Sequence, residues 1–203
     1  MEHTENTILI RGQLQQLPQL SHENHGKRFY RFCLEVPRLS GAVDILPVIA
    51  QEHLLNQIDL SGGAMIQVRG QIRSHNLKTD GTRRLLIFVF AGEIITTDEL
   101  PTNQVVLQGP LCREPNLRRT PLGRDICDVM LAAPRAFKRA DYLPCILWGR
   151  TAQEISACHT GDVIRIEGRF QSRVYNKVTD HGTEERTTYE ISALSAEMVE
   201  EIL

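Results

Sequence analysis

No stretch of this sequence is apolar for long enough to cross a membrane. The longest uninterrupted run is Leu85–Ala91, against the roughly 20 residues that a spanning helix needs. The N-terminal MEHTENTI carries neither a basic nor an apolar signal region, so no secretory signal is expected and a cytoplasmic location without membrane contact is. Charge of one sign is also missing: 23 Lys and Arg stand against 25 Asp and Glu, a net charge of −2. No bulk positive field announces a polyanionic partner, and any basic site has to be local. The five cysteines are odd in number, and no two form a C-x-x-C pair. That argues against a disulfide framework or a zinc site and favours reduced, mostly buried thiols. There is no Walker A sequence, no G-x-S-x-G and no H-E-x-x-H, so neither an enzyme nor a cofactor is expected. His22 and His25 have metal-pair spacing, but they sit in a polar turn before Gly26 with no third ligand in sequence, and a solvated loop is the better reading.

What the 203 residues do contain is a repeat. Residues 6–49 match residues 103–146 at a constant offset of 97 without a gap, with 13 identities in 44 positions, where chance gives about two or three. Gly12/Gly109, Pro18/Pro115, Gly26/Gly123, Pro37/Pro134, Arg38/Arg135, Asp44/Asp141 and Pro47/Pro144 are among them. After a one-residue shift, GAMIQVRGQIRS from Gly63 aligns with GDVIRIEGRFQS from Gly161. The period is too long for a solenoid. Two tandem copies of one small domain are expected: an N-terminal unit over 1–95, a polar linker over 96–102, a C-terminal unit over 103–193 and a short tail over 194–203.

Each copy reads as β-rich. Over Met65–Arg73 the apolar Ile66, Val68 and Ile72 alternate with Gln67, Arg69, Gln71 and Arg73, the period of a half-buried strand. Gly70 and Gly168 interrupt equivalent strands, which suggests a bulge at a barrel corner. Strands are expected near Thr7–Leu14, Arg28–Pro37, Val43–Ala50, Met65–Ser74 and Leu85–Ala91, and again near Gln104–Leu111, Arg124–Ala133, Asp141–Trp148, Val163–Arg173 and Arg186–Ala193. Short helical patterns over Gln51–Ile58 and Thr151–His159 fall between the third and fourth strands. An all-β chain of two tandem five-stranded OB barrels with short helices follows from that order. Asp44 and Asp141, at equivalent strand starts, read as caps or turn ligands. Glu184, Glu185 and Glu190 read as a charged hairpin edge.

The second copy concentrates chemistry. Alternation puts Tyr142 and Trp148 on one face of a strand, about 20 Å apart, and Arg165, Arg169, Arg173 and Tyr175 on the outer face of the next. Phe137 lies in a loop with Arg135, Lys138 and Arg139, and Lys177 extends the basic strand. Rings interleaved with cations suit single-stranded nucleic acid: bases stack on the rings while Arg and Lys follow the phosphates. The same pattern suits a dimer interface, or core rings beside solubilising charges.

The segments Asn103–Gly109, Arg113–Gly123, Tyr142–Ala152, Gly161–Asp162, Ile166–Arg173 and Arg186–Glu190 resemble, in order and spacing, the core of bacterial single-stranded DNA-binding proteins. The resemblance covers about 90 residues of the second copy and reaches the first mainly through the repeat. It implies an OB fold that binds single-stranded DNA in replication, recombination and repair, with four stacking positions that fall on Phe137, Tyr142, Trp148 and Tyr175. The corresponding positions of the first copy are Ser40, Ile45, Gln51 and Leu77, none of them aromatic. The first copy is therefore expected to serve assembly or a weaker electrostatic surface through Arg38, Arg69, Arg73, Lys78, Arg83 and Arg84. Two barrels per chain imply a homodimer with four. The family's acidic, Phe-tipped tail is not seen, so replication proteins as partners are left open. A rival reading is an assembly adaptor with little affinity for DNA.

Overall fold

The computed structural model describes residues 5–56, 58–60, 63–79, 82–135, 139–179 and 182–199, with the side chains of residues 79, 82, 83 and 177–179 outside that description. The first half folds as β1 (Glu5–Leu14), β2 (Gln19–Asn24), β3 (Lys27–Pro37), β4 (Val43–Gln51), α1 (Glu52–Leu55), β5 (Met65–Thr79) and β6 (Thr82–Thr96). The second half repeats the order with β7 (Thr102–Pro110), β8 (Asn116–Arg119), β9 (Asp125–Arg135), β10 (Arg139–Trp148), α2 (Gly149–Ile155), β11 (Val163–Thr179) and β12 (Gly182–Met198). Among the described residues, no helix is long and apolar enough to cross a membrane.

Alternation drives the strands. In β10, Asp141, Leu143, Cys145 and Leu147 point inward, while Tyr142 and Trp148 point out. In β4, Asp44, Leu46, Val48 and Ala50 do the same inward work. Each half curls on itself, where β1 also reaches β3 and where Leu111, just past β7, bridges Leu131 of β9. The bulges expected at the two strand glycines are present: the β5–β6 register shifts between Arg69 and Gly70, and the β11–β12 register between Glu167 and Gly168. A Cβ on either glycine would run into the carbonyl oxygen of Phe90 or Ser192 across the ladder. Only glycine permits that approach, which bends the hairpin around the barrel.

Two things differ from the expected strands. Each copy has a sixth, short edge strand, β2 or β8, made almost wholly of exposed polar residues that carry no alternation. Turn chemistry forms the first of these: His25 and Gly26 both have positive φ and close a two-residue hairpin between Asn24 and Lys27, as a type I′ turn requires. The long hairpins also run beyond the hydrophobic pattern, so that β12 continues to Met198, paired with Ile164. In that extension Ala196 packs against the core, while Leu194 and Met198 are exposed.

The two barrels are not beads on a string. β1 and β7 pair antiparallel, giving one sheet of twelve strands, and Ile8 lies opposite Val105. These are equivalent positions of the repeat, so an approximate two-fold axis passes between them, as in an isologous dimer built within one chain. The pairing also removes what would otherwise be two open strand edges. Buried side chains of both halves form one continuous cluster, from Ile8 and Ile10 to Val105 and Leu107.

The repeated aspartates lock this arrangement. Asp44 is buried in β4, yet its carboxylate accepts from the backbone N–H of Ser172 (2.7 Å) and from the Ser172 hydroxyl (3.0 Å), in the other barrel. Asp141, fully buried in β10, accepts reciprocally from the Ser74 N–H (2.6 Å) and hydroxyl (3.4 Å). Each is balanced by its own repeated arginine: Arg38 Nε donates to Asp44 at 2.7 Å, and Arg135 donates to Asp141 at 3.2 Å. Neither aspartate is a cap or a turn ligand, because the partner that takes up its oxygens is 67 or more residues away in the other half. The repeated Asn6 and Asn103 act within each half instead. Each amide donates to and accepts from one backbone residue, Ile72 or Phe170, and so pins the first strand to the fifth.

The five cysteines are free. Burial pushes the Cys127 thiol up to about 11 and raises Cys145 as well, so both are protonated and inert near neutrality.

Candidate nucleic-acid interface

An open groove of about 650 Å³ runs across the outer face of the second barrel. Trp148 stands on one wall, at the end of β10, where alternation turns it outward and the helix α2 begins. It is 39 % exposed, and its ring N–H donates to Ser192 Oγ at 3.2 Å, which fixes the indole's edge and leaves a face to the groove. Five arginines line the same space: Arg118 and Arg124 from β8 and the turn after it, Arg169 and Arg173 from β11, and Arg38 from the first barrel.

The groove's charges are unequally satisfied. Glu190, buried in its floor, accepts from Gln171 at 3.0 Å and faces Arg173 at 3.5 Å. It is therefore a groove carboxylate and not part of a charged edge, whereas exposed Glu184 pairs with Arg186 on the distal hairpin. Arg118 is held by Asp128, and that bond raises its guanidinium above the ordinary range. Asp44 does the same for Arg38, whose outer nitrogen also donates to the Ser172 carbonyl at 2.8 Å. Arg169 differs: its Nε is buried and has no hydrogen-bond partner. A buried, cationic N–H without an acceptor is costly unless something supplies one.

The residues expected from sequence fall into four groups. Trp148, Arg169 and Arg173 come together in the groove. Tyr142 shares Trp148's face but sits at the far end of β10, where its backbone N–H donates to Ser74 of the first barrel. Tyr175 is exposed further along β11, opposite Arg186, and Arg139 is exposed at the start of β10. Two arginines are engaged elsewhere: Arg135 is tied to Asp141, and Arg165 pairs with Glu167 and Glu5, outside the groove. Phe137 and Lys138 lie outside the described residues, as does the side chain of Lys177.

Sequence reasoning missed Arg118, Arg124 and the groove role of Arg38. Arg118 lies in the polar edge strand that shows no periodicity, and Arg124 in the turn after it. Arg38 lies in the wrong half of the chain, and only the cross-barrel clasp brings it over. Its repetition as Arg135 was the available signal.

The first barrel builds the equivalent surface from different chemistry. Gln51 stands where Trp148 stands. Phe32 fills the barrel, while Phe29, Phe88 and Phe90 are half-buried on the outside, and Tyr30 donates to Glu52 at 3.1 Å. His22 lies flat on Phe29, with centroids 4.9 Å apart and planes 6° apart.

Residues 102–199 match the family model described as the single-strand binding protein family. Over 80 residues the chain is 40 % identical to single-stranded DNA-binding protein B of Bacillus subtilis, covering 36 % of this chain and 71 % of that protein. Over 107 residues it is 32 % identical to the single-stranded DNA-binding protein of Oceanobacillus iheyensis, covering 48 % and 63 %. The whole chain superimposes on a deletion mutant of the Thermus aquaticus single-stranded DNA-binding protein with a TM-score of 0.79 at 24 % identity, covering 98 % of that chain. That likeness extends the tandem OB fold over both halves, and the sequence matches show that the chain belongs to the single-strand binding protein family.

Proposed function

We propose that this chain binds single-stranded DNA with little regard to sequence, through the groove of its second barrel, in replication, recombination and repair. The observation that carries the reading is the meeting of one half-exposed indole with five arginines in a single open groove. A base stacks on Trp148 for about 1–3 kcal/mol. Arg169, Arg173, Arg118 and Arg124 turn guanidinium groups toward the groove and follow the phosphate backbone. Tyr142 and Tyr175 extend the stacking path along β10 and β11, and Phe137 and Lys138, which precede β10 in sequence, belong to the same proposed set. Stacking reads a π-face that every base has, so the binding is sequence-tolerant, and counterion release makes it weaken with salt. This is a binding reading and not a catalytic one. By the same reading two chains associate to give four barrels, as a homodimer.

Trp148 is the chain's single tryptophan, so its emission reports on the groove directly. Titration with oligo-dT at low and moderate salt should give strong, saturable quenching that weakens as salt rises, and poorer quenching with oligo-rU. No quenching together with no mobility shift would overturn the reading and turn the groove into a protein-contact surface.

A further inference from the structure

We infer that Glu190 sets the selectivity of the groove: its carboxylate holds the Arg173 guanidinium from within, so that a free phosphate or nucleotide finds this cation taken, while a single strand displaces the carboxylate and gains it. The inference rests on the single-stranded DNA reading of the second barrel. Among the described residues, Glu190 is the one carboxylate that lines the groove, against five arginines. It is 8 % exposed, whereas the Arg173 side chain keeps 55 % of its surface in solvent. Gln171, opposite Glu190 on the ladder, donates to one carboxylate oxygen at 3.0 Å, and Arg173 Nε stands 3.5 Å from the other. Arg38 and Arg118 are raised first by their own aspartates, and the Glu190 charge adds to both. One buried anion thus acts on three of the groove's cations.

The barrel does not need this carboxylate to fold. Phe88 holds the equivalent place in the first barrel, opposite Arg73 as Glu190 is opposite Gln171. There Ser21, Lys27, Gln71 and His75 stand where Arg118, Arg124, Arg169 and Arg173 stand. The anion accompanies the arginines and is missing where they are missing. Burying a carboxylate costs free energy unless charge and hydrogen bonds offset it. Arg173 supplies part of that offset, and a pair held at 3.5 Å with its cation half in solvent is weak enough to exchange. A free phosphate has to break the pair with a single contact of its own. A strand already held by Trp148 and the neighbouring arginines presents its next phosphate intramolecularly, at high effective concentration, and gains from counterion release as well. Glu190 therefore turns away the small anions that an arginine cluster would otherwise collect, and leaves the groove open to a polyanion.

The test uses the full chain, with oligo-dT binding read by Trp148 quenching in sodium chloride and in sodium pyrophosphate of the same ionic strength. The wild-type chain should bind equally well in both. Glu190→Gln, which keeps an acceptor for Gln171, should bind about 3-fold to 10-fold more tightly in chloride and lose that gain in pyrophosphate. In an Arg173→Ala background the same substitution should change affinity by less than about 2-fold, a coupling that a merely structural role would not show. Glu190→Leu, apolar as Phe88 is, repeats the test if the glutamine variant loses its cooperative urea transition. Equal competition by pyrophosphate in wild type and variant, weaker binding in the folded variant, or a gain that survives without Arg173 would each overturn the inference and leave the single-stranded DNA reading standing. Absence of quenching in the wild-type chain would remove that reading and this inference with it.

Discussion

The two barrels share a skeleton and differ in what they place on it. Asn6 and Asn103 make the same two hydrogen bonds, Asp44 and Asp141 make the same cross-barrel clasp, and Gly70 and Gly168 make the same bulge. Those positions have no freedom, because each serves a backbone group or a close approach. The outer face is free to drift. Position 51 is Gln where 148 is Trp, and position 90 is Phe where 192 is Ser. Binding chemistry therefore diverges where the ladder does not depend on it, and the repeat is clearest in the residues that hold the two halves together.

The clasp offers the largest test of that symmetry. Asp141→Ala would leave the Ser74 N–H and the guanidinium groups of Arg135 and Arg73 without their buried carboxylate, and Asp44→Ala would do the same to Ser172 and Arg38. Breaking a buried ion pair in this way costs about 3–5 kcal/mol. Urea unfolding should show a loss of that size for each variant. A loss under about 1 kcal/mol in either would mean that its half of the clasp is slack and that the two-fold symmetry is one of shape only. The Asp141 side has one feature with no counterpart: its second oxygen and Arg73 Nε are both buried without a hydrogen bond, 3.9 Å apart.

The next contrast is between positions 148 and 51. Trp148→Ala should weaken oligo-dT binding by about 1–3 kcal/mol if a base stacks there. Gln51→Ala should change affinity by no more than about 0.5 kcal/mol, as for an ordinary surface position. Fluorescence anisotropy with a labelled oligo-dT measures both, since it does not need the tryptophan. Equal effects would erase the functional difference between the barrels.

Much of this was legible in the sequence, for identifiable reasons. Alternation fixed the inward and outward faces of β4, β5, β10 and β11, because one side of each is buried and a one-residue slip would turn the whole set over. Trp148, Arg169 and Arg173 could be placed on the outside by counting alone. The edge strands β2 and β8 could not be found, since both of their faces meet water and their register comes from a turn and from pairing. Arg165 looked like Arg169 from its spacing, and Arg135 looked like Lys138 and Arg139 from its place beside Phe137. Arg165 is taken up by Glu167 two residues along and by Glu5 of β1, and Arg135 by Asp141 on the core side of β10; the last two acceptors come near only on folding. The purpose of the repeated aspartates was hidden for the same reason: the groups they satisfy lie in the other copy.

The smallest expected difference between the halves is in acid. Glu114, in the loop after β7, accepts from the Thr160 N–H and hydroxyl, both at 2.9 Å, and from His159 at 3.2 Å. Those bonds, the Thr160 N–H foremost, hold its carboxyl below the ordinary value of 4.5. They tie the loop to the segment that carries α2 into β11. The equivalent position in the first barrel is Leu17, an exposed apolar residue that can make no such tie. A carboxyl whose folded value is depressed favours the folded state above its unfolded value and loses that contribution as pH falls through the folded one. The wild-type chain should therefore be slightly more resistant to urea than Glu114→Gln near pH 6, and the two unfolding midpoints should converge as pH drops below 4.5 toward 3. Solvent screening at this exposed site keeps the gap small. Parallel curves with no convergence would show that the loop is held by shape alone, as its apolar counterpart in the first barrel must be.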